Sequence, residues 1–387
     1  MANFIDRLSE QVALKQKELR ETLSEQANVG EKELSELVKQ HWHDLPARLK
    51  KSASRPAFAV DGSRAVRHLA NGAYLFVAQG LLVGEKQGER IEETDVDVQI
   101  LRGTTPTPYV NEVAGLMMMR LEAMLARRGA QVMPANSVLF IDGALYGIIP
   151  NLYPFREYPE YEEPPFVPSY RDDTLNAFLE LFELCGSNGL TLISIAKTST
   201  ESTHNKVWWQ KRYGEEPPFK VSDSEALYRW TNRKDKDDKT IVRSRGFSQP
   251  ILFGKQAFSA GRQAEELLGR GQVMNSPAIV SFFVRLEDFD DALRIDVPAA
   301  CIGRKETIED VEEAQLLRHD EVVPILELLS RDYGGLEVYN ALLYSVDREV
   351  RLRQDMMDQV YLSLIQNALG TDVELRLDRS ERRFHSR

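Results

Sequence analysis

Three acidic residues of the sequence stand where their carboxylates could meet. Asp61 follows an apolar run and precedes a glycine, and Asp142 stands in the same setting. Glu122 lies between them in the chain, beside the apolar side of a predicted helix. Carboxylates held close together repel one another, and a divalent cation usually resolves that repulsion. The three acids therefore predict a site for Mg²⁺ or Mn²⁺ with oxygen ligands only.

Such a site favours phosphodiester hydrolysis. Two divalent ions about 4 Å apart stabilise both the attacking and the leaving oxygen of an in-line displacement. Lys197 directly follows another apolar run and could orient the phosphate or the attacking water. The alternative for Lys197 is an ordinary lysine at the end of a strand. The alternative for Asp61 is a turn residue, because Asp-Gly after a strand is a common hairpin signal.

The elements that must position these acids follow an α/β order. Three successive strands with short links precede a helix, a central strand, and a further helix and strand. Gly62 is expected to turn the chain sharply, and Gly129 to end the first core helix. In such a mixed sheet the first and fourth strands can be neighbours, with the helix acid above both aspartates. The predicted elements are strands at 57–60, 73–83 and 91–101, a helix at 109–128, a strand at 137–141, a helix at 172–184, strands at 190–196, 250–253, 278–286 and 293–297, and helices at 320–329 and 336–369.

The composition is that of a globular protein, and it restricts the function. Of 387 residues 42% are hydrophobic, yet no stretch reaches the roughly 18 apolar residues of a membrane span. The net charge of −11 argues against a protein that coats nucleic acid by charge alone. The two cysteines show no metal or disulfide spacing, so a reducing cytoplasm is the simplest compartment.

The composition also predicts three parts of the chain. Residues 1–55 form a charged helical arm whose apolar residues suit packing against the main domain or a second subunit. Residues 56–370 form the main domain, and residues 371–387 form a polar tail rich in arginine. His41 and His43 of the arm are two positions apart, which places them on different sides of a helix and disfavours a metal pair.

The segment 198–245 is an insertion of different composition within the main domain. Together with Lys197 it holds 12 Lys and Arg against 8 Asp and Glu, and it contains three of the four tryptophans. Cations can meet phosphates while aromatic rings stack on bases, which favours a surface that contacts nucleic acid. The alternative is an insertion whose tryptophans pack locally. The residues predicted to contact nucleic acid are Arg64, Lys197, Lys206, Trp208, Trp209, Lys211 and Arg212.

The order of the acids on strand, helix and strand resembles that of ribonuclease H-like nucleases. More specifically, the chain resembles the NurA family over about residues 56–370. Each motif is short, and their order along the chain gives the resemblance its specificity. The resembling segments are Val60-Asp61-Gly62-Ser63-Arg64, Arg120-Leu121-Glu122-Ala123, Leu139-Phe140-Ile141-Asp142-Gly143, Ile195-Ala196-Lys197-Thr198-Ser199, and Tyr339 with Asp347 eight positions later.

The resemblance implies a metal-dependent DNA nuclease with a ribonuclease H-like mixed sheet flanked by helices. It implies 5′–3′ exonuclease and single-strand endonuclease activity with two Mn²⁺ or Mg²⁺ ions. It also implies a homodimer docked on a hexameric HerA-type ATPase translocase that feeds DNA ends to it, in DNA repair or in defence against phage. The implied roles are metal ligation by Asp61, Glu122, Asp142 and Asp347, phosphate steering by Lys197, and positioning of DNA or water by Tyr339.

The sequence departs from the family at one position. NurA proteins usually have a histidine eight residues after the late tyrosine, where this chain has Asp347. A carboxylate still binds a hard cation, but it lacks the imidazole that can carry protons near neutral pH. Metal preference and pH dependence therefore stay open, as does the choice between Glu122 and Glu112 as the helix ligand. The alternative role for Glu112 is structural, because an acid in the first turn of a helix interacts favourably with the helix dipole.

Two other functions fit parts of the pattern. Actin-like and sugar-kinase-like phosphotransferases also place Asp-Gly turns at phosphates, and Gly334-Gly335 would then be the adenosine-binding pair. A non-catalytic adaptor of an ATPase ring is the second, because the helical arm and Asp347 are compatible with it. ATP binding distinguishes the first from a nuclease, and a metal-dependent cleavage assay distinguishes the second.

Overall fold

The structure, a computed structural model, groups the chain into two compact units. The grouping is spatial, and the predicted boundaries at residues 55 and 370 stay predictions. The smaller unit comprises Met1–Pro46, Lys197–Gln249 and Phe283–Arg294, and the larger comprises Ala47–Ala196, Pro250–Phe282 and Ile295–Arg387. The residues that the structure describes are 4–25, 30–46, 49, 55–86, 88–102, 104–145, 152, 163–197, 199–234, 241–258, 271–288 and 290–370.

Helices and strands alternate along most of the chain. The helices are α1 (Phe4–Leu14), α2 (Gln16–Glu25), α3 (Glu31–Gln40), α4 (Thr107–Val132), α5 (Phe166–Ser187), α6 (Thr203–Tyr213), α7 (Asp223–Trp230), α8 (Lys255–Phe258), α9 (Gly271–Met274), α10 (Val323–Arg331), α11 (Ala341–Val350), α12 (Gln354–Met356) and α13 (Leu362–Leu369). The strands are β1 (Trp42–His43), β2 (Ala57–His68), β3 (Tyr74–Lys86), β4 (Glu89–Leu101), β5 (Val138–Asp142), β6 (Thr191–Ala196), β7 (Asn232–Lys234), β8 (Ile241–Arg243), β9 (Gly246–Ser248), β10 (Ile251–Phe253), β11 (Ile279–Arg285), β12 (Leu293–Pro298) and β13 (Gln315–Leu316). The described residues also form two 3₁₀ turns (Ala299–Ile302 and His319–Val322) and one π turn (Met357–Tyr361). None of the helices formed by the described residues could cross a membrane.

The larger unit is built on a mixed sheet, as predicted. Its strand order is β11-β12-β6-β5-β2-β3-β4. The meander of β2, β3 and β4 is antiparallel, and the pairs of β2 with β5 and of β5 with β6 are parallel. The first and fourth predicted strands are therefore neighbours, as expected from their order.

Strand β2 is much longer than predicted. It was expected to end at Val60, but it continues to His68 because β3 pairs with it from Phe58 to His68. Its pairing with β5 stops at Val60, which lies opposite Ile141. After Val60, no strand of the described residues pairs with β2 on its β5 side. The chain therefore leaves an open strand edge where a sharp turn was expected.

Helices cover the sheet. Helix α4 packs against β2, β3 and β4, and α5 packs against α4. The helix α4 was expected to stop at Gly129, yet it continues to Val132. Gly129 instead lies against Leu82 of β3, whose Cδ1 would be 2.7 Å from a β-carbon at that position. Helix α11 packs against β2, β3 and β5.

The predicted long C-terminal helix is broken. Helix α11 ends at Val350, residues 351–353 are extended, and helical structure resumes at Gln354. The break occurs where two backbone groups that would pair within a continuous helix bond to side chains of the sheet instead. The Gln79 amide of β3 donates to the carbonyl of Val350 (2.7 Å), and the amide of Leu352 donates to Oγ of Ser63 on β2 (2.8 Å). These two bonds hold the break against the sheet.

The smaller unit has its own core. Helices α3, α6 and α7 pack together, β1 pairs with β9, and β9 pairs with the last residues of β11. The buried guanidinium of Arg285 bonds to Thr231 and Ser244. This burial lowers the pKa of Arg285 to about 10. By contrast, α1 has no buried residue, so its apolar side is exposed in the single chain.

Candidate functional site

The two aspartates occupy equivalent positions on neighbouring strands. Asp61 follows Val60 on β2, and Asp142 follows Ile141 on β5, while Val60 and Ile141 are register partners. Adjacent strands lie about 4.8 Å apart, so the two carboxylates start from neighbouring backbone positions. Asp61 is 8% exposed, and its Oδ1 accepts a hydrogen bond from the amide of Gly62 (2.8 Å).

Glu122 reaches this place from α4. A β-carbon on Gly62 would lie 2.6 Å from Oε1 of Glu122 and 2.7 Å from Cγ of Met118. The carboxyl group of Glu122 also accepts a hydrogen bond from the backbone of Gly62. Glycine is therefore required here because the helix acid lies directly against the strand, and not because the chain turns. The carboxyl groups of Asp61 and Glu122 thus both accept hydrogen bonds from the backbone of Gly62, at the open edge of β2.

The second Asp-Gly pair is a true strand end. Gly143 has a φ of 104°, a conformation that favours glycine. Its amide donates to Oδ1 of Asp142 (2.9 Å) and to the carbonyl of Ile195 (2.9 Å). The hydroxyl of Ser194 donates to the carbonyl of Gly143 (2.5 Å). The turn after β5 is therefore held on both sides by β6, and it fixes the backbone of Asp142.

Electrostatics couple the three acids. The pKa of Glu122 is raised well above its usual 4.5 by burial first, then by the charges of Asp61 and Asp142. The hydrogen bond from Gly62 and the charge of Arg64 oppose that rise. A bound cation would offset the repulsion between a buried carboxylate and its two acidic neighbours. Ligands that are all oxygen atoms suit Mg²⁺ or Mn²⁺.

The residues present therefore fit a divalent metal. Among the described residues, no three His, Cys, Asp or Glu side chains are gathered around a common point as a finished metal site. Asp61 and Asp142 each bond to the amide of the following glycine.

Arg64 and Glu112 lie towards the start of α4. Nη1 of Arg64 donates to the carbonyl of Asn111 (3.0 Å) and passes over Gly115, whose β-carbon would lie 2.6 Å away. Glu112 has a buried Oε2 without a hydrogen-bond partner. It precedes Glu122 by ten residues, about 15 Å along the helix. Of the two candidates, Glu122 is the one beside the aspartates.

Tyr339 and Asp347 do not share one helix. Tyr339 precedes α11, which begins at Ala341 after an Asn340 cap, so the expected continuous helix between the two residues is wrong. Asp347 lies next to the buried Val346 on α11, and its side chain is 39% exposed. Its carboxylate is 3.7 Å from the guanidinium of Arg351. Asp347 thus lies beside the buried face of a helix that packs on β2 and β5, the strands that carry Asp61 and Asp142.

The tryptophans expected to stack on bases are buried in the smaller unit. Trp208 is 1% exposed and stacks on His41 with ring centroids 5.1 Å apart. Trp209 is also buried and packs against Tyr213 and Phe219. The prediction that these two rings contact nucleic acid is wrong, because core packing occupies their faces.

The basic residues of the same prediction are on the surface. Lys206 is 3.3 Å from a carboxylate oxygen of Glu216, and Lys211 and Arg212 are exposed in the last turn of α6. Lys197 is exposed directly after β6. These cations remain candidates for phosphate contact.

Sequence reasoning missed the residues that support the acids. Ser194 holds the Gly143 turn, and Ser63 holds the break after α11. A serine inside an otherwise apolar strand was the available signal for Ser194. The role of Gly62 as the contact surface for Glu122 depends on helix packing and has no local signal.

The fold and its three coupled acids define a mixed α/β protein whose mixed sheet is flanked by helices. A family model described as the NurA domain matches residues 55–352. The chain therefore belongs to the NurA nuclease family. The resemblance expected from the short motifs is confirmed. The Gly334-Gly335 pair of the phosphotransferase alternative forms a tight turn in which the amide of Gly334 donates to Val338.

Solved structures agree on the fold. The NurA nuclease from Sulfolobus solfataricus has 15% sequence identity and a TM-score of 0.58, over 97% of this chain and 99% of that one. A NurA with manganese and a NurA bound to dAMP and manganese each have 14% identity and a TM-score of 0.54 over 92% of this chain, covering 98% and 97% of theirs. A comparison with curated protein sequences finds no match.

Proposed function

We propose that this protein is a metal-dependent DNA nuclease with 5′–3′ exonuclease and single-strand endonuclease activity. The observation that carries the proposal is the burial of Glu122 between Asp61 and Asp142 at an open strand edge. Repulsion among buried acids costs stability, and a metal site gives that arrangement a purpose. Family membership and the manganese and dAMP bound to related proteins support the same chemistry.

The three acids would hold two Mg²⁺ or Mn²⁺ ions, with Asp347 as the fourth ligand. When bound, the metal supplies Lewis acidity towards the scissile phosphate. Asp61 and Asp142 provide ligands fixed by strand backbone, and Glu122 provides one that α4 places against Gly62. The three backbone positions are rigid, which favours a precise site.

Basic residues of the chain would receive the DNA. Arg64 lies close enough to Glu122 to affect its pKa, and its guanidinium can meet a phosphate beside the metal. Lys197 would steer the phosphate and Tyr339 would position DNA or water. Lys206, Lys211 and Arg212 would contact the DNA backbone, without base stacking by the neighbouring tryptophans.

A homodimer is proposed, with its interface on the outer face of β4. This strand ends the sheet order, and its Val96, Val98 and Ile100 are exposed. Val98 pairs with Val77, which lies in a cluster with Met357 of the C-terminal helical region. An exposed apolar stripe of this kind is typical of a protein–protein interface, and a second copy of the chain would cover it.

The C-terminal helices carry further exposed apolar residues. Met356, Val360 and Leu364 recur at four-residue spacing and are exposed. Their neighbours Met357 and Leu362 belong to the buried cluster that contains Val77. The proposed assembly also includes a hexameric HerA-type ATPase that feeds DNA ends to the nuclease in the cytoplasm, in repair or in phage defence. Family membership supports this partner.

A cleavage assay tests the nuclease. Unaltered protein, Asp61→Asn and Asp142→Asn are compared on single-stranded and 5′-labelled duplex DNA with Mn²⁺, Mg²⁺ or EDTA. We expect metal-dependent cleavage, and losses in both variants larger than the roughly 10- to 100-fold cost of losing an outer metal-site contact. Glu112→Gln is the matched control, and its cleavage rate should stay within about threefold of that of the unaltered protein.

Full cleavage by Asp61→Asn with Mn²⁺ would sink the assignment. No cleavage by unaltered protein, alone or with the ATPase, would leave the adaptor as the better function. Co-elution with the ATPase and light scattering test the two assemblies separately from the chemistry.

A further inference from the structure

The two cysteines of the chain meet in the larger unit. Cys185 lies near the end of α5, and Cys301 lies in the 3₁₀ turn after β12. Their thiols are in hydrogen-bonding contact although they are more than one hundred residues apart in sequence. Cys185 is 4% exposed, and Cys301 is half-buried. Sγ of Cys301 also lies 3.6 Å from the carbonyl of Leu190, to which it donates.

A cavity gives small molecules access to both sulfurs. It has a volume of about 420 Å³, and Cys185, Cys301 and Arg55 are among its lining residues. The guanidinium of Arg55 is held by Oγ1 of Thr191 (2.8 Å) and by the carbonyl of Gly189 (3.2 Å). Its charge interacts with the sulfur of Cys301. A cation fixed beside an accessible thiol is typical of reactive cysteines.

This cluster is separate from the acidic site. Thr191 of the cavity pairs with Val138 at the start of β5, whereas Asp142 ends that strand. The four residue steps from Val138 to Asp142 span about 13 Å of strand. Chemistry at the thiols therefore does not touch the carboxylates.

We propose that Cys185 and Cys301 are a peroxide-oxidisable pair that forms a reversible disulfide in the folded protein. The thiolate of Cys301 attacks one oxygen of hydrogen peroxide, so that an S–O bond forms, the O–O bond breaks and hydroxide leaves. The sulfur of Cys185 then attacks that of Cys301 and gives up its proton. The S–S bond forms, the S–O bond breaks, and the second hydroxide leaves as water. Two thiols are oxidised and one peroxide is reduced to two waters.

The two sulfurs have different roles because their surroundings differ. The hydrogen bond with Cys301 and burial raise the pKa of the Cys185 thiol. Cys185 therefore stays protonated and reacts second, after Cys301 has been oxidised. Cys301 reacts first because it is the more exposed sulfur and lies beside Arg55.

The experiment uses the unaltered full chain, so it does not depend on the folding of a variant. Native protein is treated with hydrogen peroxide, then alkylated, denatured and analysed by intact mass and by peptide mapping. We expect a loss of two hydrogen atoms per chain, a peptide pair joining Cys185 to Cys301, and full reversal by dithiothreitol. The oxidised protein should also unfold at a higher temperature, because the bond closes a loop of over one hundred residues.

Two variants separate the steps. Cys185→Ser should stop at a sulfenic acid on Cys301 that dimedone traps, and Cys301→Ser should leave Cys185 reduced and unreactive until the protein is denatured. The proposal is overturned if the linkage forms only between chains or only after denaturation. It is equally overturned if peroxide drives Cys301 of the unaltered protein to sulfinic acid while Cys185 stays unlinked.

Discussion

The carboxyl group of Glu122 occupies the space that a β-carbon on Gly62 would need. The distance from that atom to Oε1 would be 2.6 Å, which is too short for any real contact. Helix α4 and strand β2 are thus in direct contact at the point where Asp61 meets the helix acid. This contact, more than the turn suggested by the Asp-Gly sequence, explains why glycine follows the first aspartate.

The substitution Gly62→Ala tests this contact. The added methyl group should displace Glu122 and Met118, at a cost of about 1–3 kcal/mol of stability, as for other overpacked sites. Nuclease activity should fall by more than tenfold, since a small displacement of a ligand disrupts a metal site. Gly186→Ala is the control, because nothing lies within 4 Å of the added atom. Equal activity of the two variants would contradict the contact.

The raised pKa of Glu122 makes stability without metal depend on pH. The fold favours the protonated carboxyl, so this contribution is complete below the unfolded pKa near 4.5 and is lost as pH rises through the raised folded pKa. Within that window, stability should fall by about 1.4 kcal/mol per pH unit. Urea unfolding in EDTA across pH measures it.

The variant Glu122→Gln should remove that part of the pH dependence, because an amide does not titrate. At neutral pH in EDTA it should be at least as stable as the unaltered protein, and it should lose cleavage activity. Adding Mn²⁺ should stabilise the unaltered protein far more than the variant. An unchanged pH profile in Glu122→Gln would assign the effect to other groups.

Asp347 should contribute less than the strand aspartates. It is partly exposed and lies near Arg351, so Asp347→Ala should lower activity by roughly tenfold, near the lower range for a lost metal-site partner. Asp347→His should retain activity, with a preference shifted from Mg²⁺ towards Mn²⁺, because imidazole is the softer ligand. Rates measured with each metal provide the test. If Asp347→Ala matches unaltered protein with both metals, Asp347 is no ligand.

The outer face of β4 can be tested as a dimer interface. Val98→Lys places a charge in the middle of the apolar stripe, so light scattering should show monomers at concentrations where the unaltered protein is dimeric. Val132→Lys is the matched control, since Val132 is exposed at the end of α4, away from the stripe. Dimers in both variants would move the interface elsewhere.

The sequence contained enough to locate the acids and the sheet order. Asp61 and Asp142 each end an apolar run, and the helix between them carries Glu122, so their meeting followed from strand and helix order. The two Asp-Gly pairs look identical in sequence, yet β2 continues past the first. The difference arises because β3 supplies a partner as far as His68, and such long-range pairing has no local signal.

Local composition was a poor guide to the insertion. Trp208 and Trp209 stand among lysines and arginines, which favoured a binding surface, but their large apolar rings were more stable inside the smaller unit. The break after α11 was equally hidden, since Gln79 and Ser63 compete for its backbone from distant strands. In each case a tertiary contact outweighed a local pattern.

The bonds from Gln79 and Ser63 to the break after α11 also bear on substitutions at position 347. They hold the end of α11 through its backbone, at Val350 and Leu352, without using any side chain of the helix. The backbone location of residue 347 therefore does not depend on which side chain it carries. A substitution at position 347 can therefore change the chemical group offered there while the end of α11 stays in place.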